Sequence, residues 1–379
     1  MTKLTQKIKL PKIPFALTIL PLYILMLTAC ANTANTTNQQ QPHPQPADND
    51  TIRVGLIISP SGPGDRSLND ASFSGVLQAQ VEYGIQFTML QPRTVDDFLP
   101  QLNQLASTGN YDLIFMVGGS HYQTKALDEA SLQWPNQMFS QIDATLDRPN
   151  ISGIQTKWQE NMFLTGVMAG LGTISGMEYA NPNYNKVGIL IGEDIPLMDR
   201  AMIGFEAGAR LVNPSVQVYS GFIGSFGDTD RAKAMSLEWY NKGIDFIQII
   251  GGGAGIGVYM AAREASRYVF AAGANVNFMA PDNIVATATR DVDYIIFSEV
   301  SALVNGTLVG GLHISGIREG NIGYDTFQSN VQVPAHISSM VQSIKTSVQN
   351  GELVVPYTRE DLEQWLLEVD PYRTLVQGQ

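Results

Sequence analysis

Phe246-Ile247-Gln248-Ile249-Ile250-Gly251-Gly252-Gly253-Ala254-Gly255-Ile256-Gly257 is an apolar run that breaks abruptly into glycine. Its β-branched half suits a buried strand, and its glycine half suits a tight turn opening a helix. A dinucleotide-binding loop sits in the same context. Here, however, the glycines are spaced G-x-G-x-G rather than G-x-G-x-x-G. The next strand ends at Ala272-Gly273-Ala274, with no carboxylate for a ribose hydroxyl. These glycines are expected to let the backbone approach a small uncharged ligand or a facing lobe.

The same alternation extends in both directions. Apolar or β-branched runs occur at residues 52–58, 85–90, 113–117, 187–191, 216–222, 246–250, 268–272 and 284–288. Amphipathic stretches lie between them, with Leu68, Ala71, Val76 and Ala79 near one face and Met202, Phe205, Ala209 and Val212 near another. Ser67-Leu68-Asn69-Asp70 and Thr94-Val95-Asp96-Asp97 fit capping boxes. Strands separated by helices imply right-handed crossovers and parallel sheets. The order predicts two doubly wound halves, over about 51–156 and 186–273, linked by a helix over 159–172. Ligands in such sheets bind beyond the strand C-termini. Two such edges facing each other would make a closing cleft.

Enzymatic chemistry finds little support. Of the four histidines, His43 lies in a polar stretch, and His121, His313 and His336 are far apart with no metal-ligand spacing. No G-x-S-x-G elbow or Walker A loop occurs. Cys30 is the single cysteine, so no intramolecular disulfide or thiolate metal site is available. Neither a cofactor nor a resident metal is expected. Phe73 and Phe226, near strand ends, are candidates to stack on a flat ligand ring; core or hinge packing is the other reading of their spacing.

The first fifty residues read as targeting rather than fold. Lys3, Lys7, Lys9 and Lys12 precede a thirteen-residue apolar run at 15–27, which is short for a span of roughly 20 residues. Leu27-Thr28-Ala29-Cys30 then resembles the bacterial lipobox. Residues 1–29 are therefore expected to be a signal peptide. Residues 30–50 are expected to be a disordered tether, lipidated on Cys30, that holds the protein on the extracytoplasmic face of a cell membrane. Removing the four lysines leaves 19 basic against 35 acidic residues, a net charge of −16. Such a surface excludes nucleic-acid polymers as partners.

Several segments together resemble the basic membrane protein family, the purine nucleoside receptor-like substrate-binding lipoproteins of ABC importers. Asp65-Arg66-Ser67-Leu68-Asn69 resembles the family's D-[KR]-[SG]-F-N opening, with Leu68 in place of phenylalanine. Gly118-Gly119, the Glu160/Phe163/Gly166 helix, Gly224-Ser225-Phe226 and Gly252-Gly253-Ala254-Gly255-Ile256-Gly257-Val258 match further family elements, and the likeness runs from about 52 to 356. The resemblance implies an α/β, type I periplasmic-binding-protein fold of two doubly wound parallel-sheet lobes joined by three crossovers. Residues 51–157 plus about 287–320 would form the N-terminal lobe, and 158–286 plus about 321–379 the C-terminal lobe.

The resemblance also implies a non-enzymatic role, capturing a nucleoside-like small molecule in the cleft and passing it to ABC permease subunits. The candidate ligand-binding residues are Asp65, Ser67, Asn69 and Phe73 of the opening motif, with Ser120 after the second strand-end glycines. Phe226 and Gly253 belong to the two glycine loops, followed by Asn275 and Arg290. Gly273 stands where the family carries an aspartate thought to grip ribose hydroxyls, and Asn275 is a partial substitute. Gly273 leaves room for a second function, a sensing or structural surface lipoprotein with a non-nucleoside ligand. If Gly273→Asp creates nucleoside binding where none existed, the natural ligand is something else.

Overall fold

Two six-stranded sheets, each covered by helices on both faces, make up the computed structural model, which describes residues 51–369. All of these belong to one compact unit, 50–379. The expected signal peptide, Cys30 and the tether fall in residues 1–50 and lie outside the described residues, as do residues 370–379.

The first sheet is built from β1 (Arg53–Ile57), β2 (Gln86–Leu90), β3 (Leu113–Val117), β4 (Phe139–Ile142) and β5 (Ile151–Thr156). Its helices are α1 (Leu68–Tyr83), α2 (Phe98–Ala106) and α3 (His121–Gln133). The second lobe begins with α4 (Trp158–Gly172) and continues through β6 (Lys186–Ile191), α5 (Pro196–Val212), β7 (Gln217–Phe222) and α6 (Thr229–Asn241). It goes on with β8 (Phe246–Ile250), α7 (Gly255–Ala265), β9 (Tyr268–Gly273) and β10 (Ile284–Arg290). The chain then returns through α8 (Val292–Val304) and β11 (Gly311–Ser315), and crosses again to β12 (Ile322–Asp325), α9 (Ala335–Asn350) and α10 (Arg359–Glu368).

Strand order is β11-β5-β4-β3-β1-β2 in one sheet and β12-β10-β9-β8-β6-β7 in the other. Every residue of β3 and β8 is buried, as expected for central parallel strands covered on both faces. The edge strands β2 and β7 keep polar residues and partial exposure. The second sheet is not wholly parallel, because β12 runs antiparallel to β10. That reversal follows from a short connection: chain leaving β11 reaches the second sheet within a few residues, too few for a parallel crossover.

Three passages join the lobes: β5 into α4, β10 into α8, and β11 into β12. β10 stays in the second sheet to Arg290, past the expected boundary near residue 287. The three passages are tied to one another. Lys157 N donates to Ser315 O at 2.9 Å, Asp291 N to Asn321 O at 3.1 Å, and Ile317 N to the Glu160 carboxylate at 2.9 Å.

Helix α4 is buried around nearly its whole circumference, which explains a sequence with no polar face. It crosses α5 at glycine-to-backbone distance. A Cβ on Gly204 would stand 2.0 Å from Gln159 O, and one on Gly208 would stand 2.1 Å from Phe163 O. The cap of α1 differs from expectation. The Ser67 hydroxyl makes no capping bond; the Asp65 carboxylate accepts instead from the N–H groups of Ser67, Asn69 and Asp70. At Thr94 the box forms as expected, with the Asp97 carboxylate accepting from Thr94 N at 3.1 Å.

Candidate functional site

The loop from β1 to α1 carries the first wall. Asn69 is buried to 1 % exposure, and its amide organises the loop from inside. Its Oδ1 accepts from Ser59 N at 3.0 Å, and its Nδ2 donates toward Ser59 Oγ, Ser61 Oγ and Gly62 O. Asp70 accepts from Gly64 N and Arg66 N. Asp65 faces the helix start, where three N–H groups favour its carboxylate; burial nonetheless lifts its pKa above the usual range. Between these two carboxylates Arg66 is held at φ 47°, a left-handed conformation uncommon outside glycine.

The second wall comes from the glycine turn after β8. Gly252 takes φ 51°, and Ala254 N donates to Phe226 O at 2.9 Å. Phe226 lies over Gly192 at the end of β6, where a Cβ would stand 2.3 Å from its ring. Gly253 O accepts from Thr229 Oγ1 at 3.3 Å. The glycines thus let two loops of the same sheet edge stack backbone on backbone.

Asp65, Arg66 and Ser67 of one lobe and Gly251, Gly252 and Tyr259 of the other enclose an interlobe cavity. Ile249, Ile256, Ala272, Val276 and Met279 complete its second-lobe side. It lies where both sheets end, as open α/β sheets dictate. The lobes meet closely, leaving about 10 Å³, on the order of one water-sized probe sphere. At its edge Arg66 lies over the Phe278 ring, 5.8 Å from guanidinium carbon to ring centroid. Gly273 takes φ 107°, and a Cβ there would stand 2.9 Å from Ser67 Oγ. An aspartate at 273 would therefore strain the backbone and displace Ser67. The Gly273→Asp substitution therefore tests local structure together with ligand chemistry.

The remaining candidates fall elsewhere. Phe73 packs edge-on against Phe87 of β2, centroids 5.9 Å apart, and does not line the cavity. Ser120 caps α3 in a reciprocal box with Gln123. Asn275 donates to the Asp325 carboxylate at 2.7 Å and to Phe327 O at 3.0 Å, tying two loops of its own lobe. It does not take up the place of the missing aspartate.

Arg290 is 7 % exposed and sits at the second passage between lobes. Its Nη1 bridges both Asp143 oxygens at 2.6 and 2.7 Å, and its guanidinium covers the Trp158 ring at 4.5 Å. Trp158 Nε1 donates to the same carboxylate at 3.1 Å. Among the described residues Arg290 Nε has no partner, and neither do the buried oxygens of Gln159 and Asn161, close in sequence to Trp158. Sequence reasoning missed Tyr259, Phe278 and Asp143. Tyr259 and Phe278 carry no motif, and Asp143 becomes visible only once β4 is placed.

Among the described residues no group of histidine, cysteine and carboxylate side chains could hold a metal. No described helix is long and apolar enough to cross a membrane. Similarity to known proteins spans most of the chain. Basic membrane protein A1 of Borrelia garinii subsp. bavariensis is 29 % identical over 325 residues, covering 83 % of this chain and 91 % of that protein. An uncharacterized lipoprotein of Pyrococcus horikoshii is 28 % identical, covering 95 % of this chain and 96 % of its own length. In fold, the chain resembles an ABC transporter solute-binding protein of Aeropyrum pernix K1, with a TM-score of 0.73 at 21 % identity, covering 86 % of this chain and 99 % of that one. A solute-binding protein from Conexibacter woesei gives a TM-score of 0.63 at 20 % identity, covering 81 % and 99 %. Residues 52–358 match the Bmp family, described as ABC transporter substrate-binding protein PnrA-like, and the chain belongs to that family of non-enzymatic solute-binding proteins.

Proposed function

We propose that this substrate-binding protein captures a nucleoside-like small molecule between its lobes and presents it to ABC permease subunits. The observation that carries this reading is the interlobe cavity between residues 65–67 and the glycine turn at 251–252. Both walls come from strand ends, and the second wall is largely apolar, as suits a flat uncharged ligand. Asp65 and Ser67 approach from one side and Gly251 and Gly252 from the other. Phe226 and Gly253 shape the second wall from behind, and Asn69 fixes the first. Arg290 acts at the hinge through Asp143 and Trp158 rather than from the cavity. Calorimetry and thermal shift of the folded body against a panel of nucleosides test the reading. A saturable response to at least one nucleoside is expected; silence across the panel defeats it.

Lipid on Cys30 would hold the protein on the extracytoplasmic face of the membrane, in keeping with relatives named as lipoproteins. Acyl chains contribute about 0.8 kcal/mol per buried CH₂, enough to keep a captured solute close to a permease. Cys30→Ser is expected to move the protein from the membrane fraction to the soluble fraction or to leave its signal uncleaved. The second reading, a surface sensor for a non-nucleoside ligand, draws on Gly273. Its φ of 107° disfavours any side chain, and a carboxylate there would have to turn the Ser67 hydroxyl aside.

A further inference from the structure

We infer that the site reads the ring of its ligand through the Tyr259 hydroxyl and gains little from a sugar, so that free nucleobases bind about as well as nucleosides. This rests on the nucleoside-like reading above and narrows it.

Tyr259 projects from α7, 8 % exposed, among the residues that line the interlobe cavity. Its hydroxyl makes no hydrogen bond to another described residue, and it is not among the fully buried atoms that lack a partner, so it keeps access to the cavity. Buried tyrosine hydroxyls usually find one, as Tyr240 does on Tyr268 O at 3.1 Å. The phenol stays neutral, since burial pushes its pKa up, so it offers one donor and one acceptor to an uncharged partner. Around it the wall is aliphatic, from Ile249, Ile256, Val276 and Met279, or bare backbone at Gly251 and Gly252. On this second-lobe wall one neutral polar group stands among apolar side chains, facing Asp65, Arg66 and Ser67 of the first lobe, an arrangement that fits the edge of a flat heteroaromatic ring.

Recognition of vicinal hydroxyls needs the opposite, a free carboxylate or paired amides that accept two O–H groups. The cavity offers neither. Asp65 already accepts three backbone N–H groups. Asn275 is turned to Asp325 and Phe327. Gly273 has no side chain and faces Ser67 Oγ. Arg66 is exposed and lies over Phe278 at the rim.

The test is calorimetry on the folded body with adenosine against adenine and inosine against hypoxanthine, for wild type and Tyr259→Phe. The hydroxyl has no partner among the described residues, so its removal should leave the fold intact, checked by an unchanged melting temperature. Base and nucleoside are expected to bind within about threefold of each other. Tyr259→Phe should weaken both by about five- to tenfold, the loss of one ordinary hydrogen bond. A nucleoside that binds 30-fold tighter than its base overturns the inference and leaves the proposed function standing. Unchanged affinities in Tyr259→Phe overturn the role of the hydroxyl. Failure of all four compounds to bind overturns both.

Discussion

At the scale of single residues, the polar groups near the cavity divide by what has claimed them. The family resemblance made Asn69 and Asn275 candidates for ligand contact, but groups of neighbouring loops take up their amides. Sequence position predicts where a side chain stands and not which partner it meets. Tyr259 shows the converse. At its helical spacing it reads as one more core aromatic, and only its unpartnered hydroxyl marks it out. The Arg290–Asp143 pair is the sharpest energetic feature, with both side chains 6 % exposed. Arg290→Met leaves a buried carboxylate without its counter-charge and is expected to cost about 3–5 kcal/mol. Adding Asp143→Asn should recover part of that loss in urea titrations, because the pair is removed whole and asparagine tolerates the left-handed φ of 64° at that position. Glu299 behaves differently. Burial lifts its carboxyl above the usual range against the pull of Ser140, whose hydroxyl donates to it at 3.0 Å. A raised pKa in the folded state means that Glu299 contributes stability below its ordinary carboxylate pKa. That contribution is lost as pH rises through the lifted value. Glu299→Gln is therefore expected to unfold at higher urea than wild type at pH 7.5, with the difference shrinking toward pH 4. A larger gain at pH 4 would contradict the sign.

At the scale of elements, the strands most legible in the sequence are those buried on both faces. β3 and β8 coincide with apolar runs at 113–117 and 246–250, because a central parallel strand needs apolar residues toward both helical layers. β4, Phe-Ser-Gln-Ile, and β5, Ile-Ser-Gly-Ile-Gln-Thr, escaped notice. They are just as buried, but they carry serine and glutamine inside. Partners elsewhere in the fold take up some of those groups, Glu299 for Ser140 and Gly118 O for the Gln141 amide nitrogen, while Ser152 Oγ and Gln141 Oε1 stay without one among the described residues. Polar residues whose partners are distant in sequence erase the hydrophobic pattern on which strand assignment depends. β11 and β12 are short edge strands with partial exposure, and their pattern is weak for that reason. The α4–α5 crossing was legible as two helices but not as a contact. Gly166, Gly204 and Gly208 allow helix backbones to touch, which no helical period reveals. Gly208→Val puts a branched side chain where even a Cβ would stand 2.1 Å from Phe163 O. Overpacking of this kind costs typically about 1–3 kcal/mol, and backbone rather than flexible side chain must move. A loss at the upper end of that range is expected in denaturant midpoints, with ligand affinity retained in the folded fraction because the crossing lies behind the second sheet.

At the scale of the whole molecule, the lobes as they stand are too close for a ligand to enter. A cavity of about 10 Å³ compares with roughly 300–1,000 Å³ for a small-molecule site, so binding requires the lobes to part. Their three passages, tied side by side through Lys157, Ile317 and Asp291, suit a hinge more than a slide. What holds the lobes together at the cavity is slight: Arg66 over Phe278, and Ser67 against Gly273. An exposed cation–π contact contributes about 0.5–1 kcal/mol, which shifts an open–closed ratio by roughly two- to fivefold and no more. Closed and open forms should therefore both be populated without ligand, and a ligand that bridges the walls should favour the closed one. Small-angle scattering is expected to give a larger radius of gyration for the free protein than for the same protein saturated with a ligand found by calorimetry. Arg66→Ala should enlarge the free form further while changing the saturated form little. Its effect on affinity separates two roles for the residue. If Arg66 touches only the opposite lobe, the variant loses affinity by at most about the same two- to fivefold, because that is all the closing energy it supplied. A loss beyond about tenfold would mean that the guanidinium contacts the ligand itself. An equal radius with and without ligand would mean that the lobes do not part, and the cavity would then be a packed interface rather than a binding cleft.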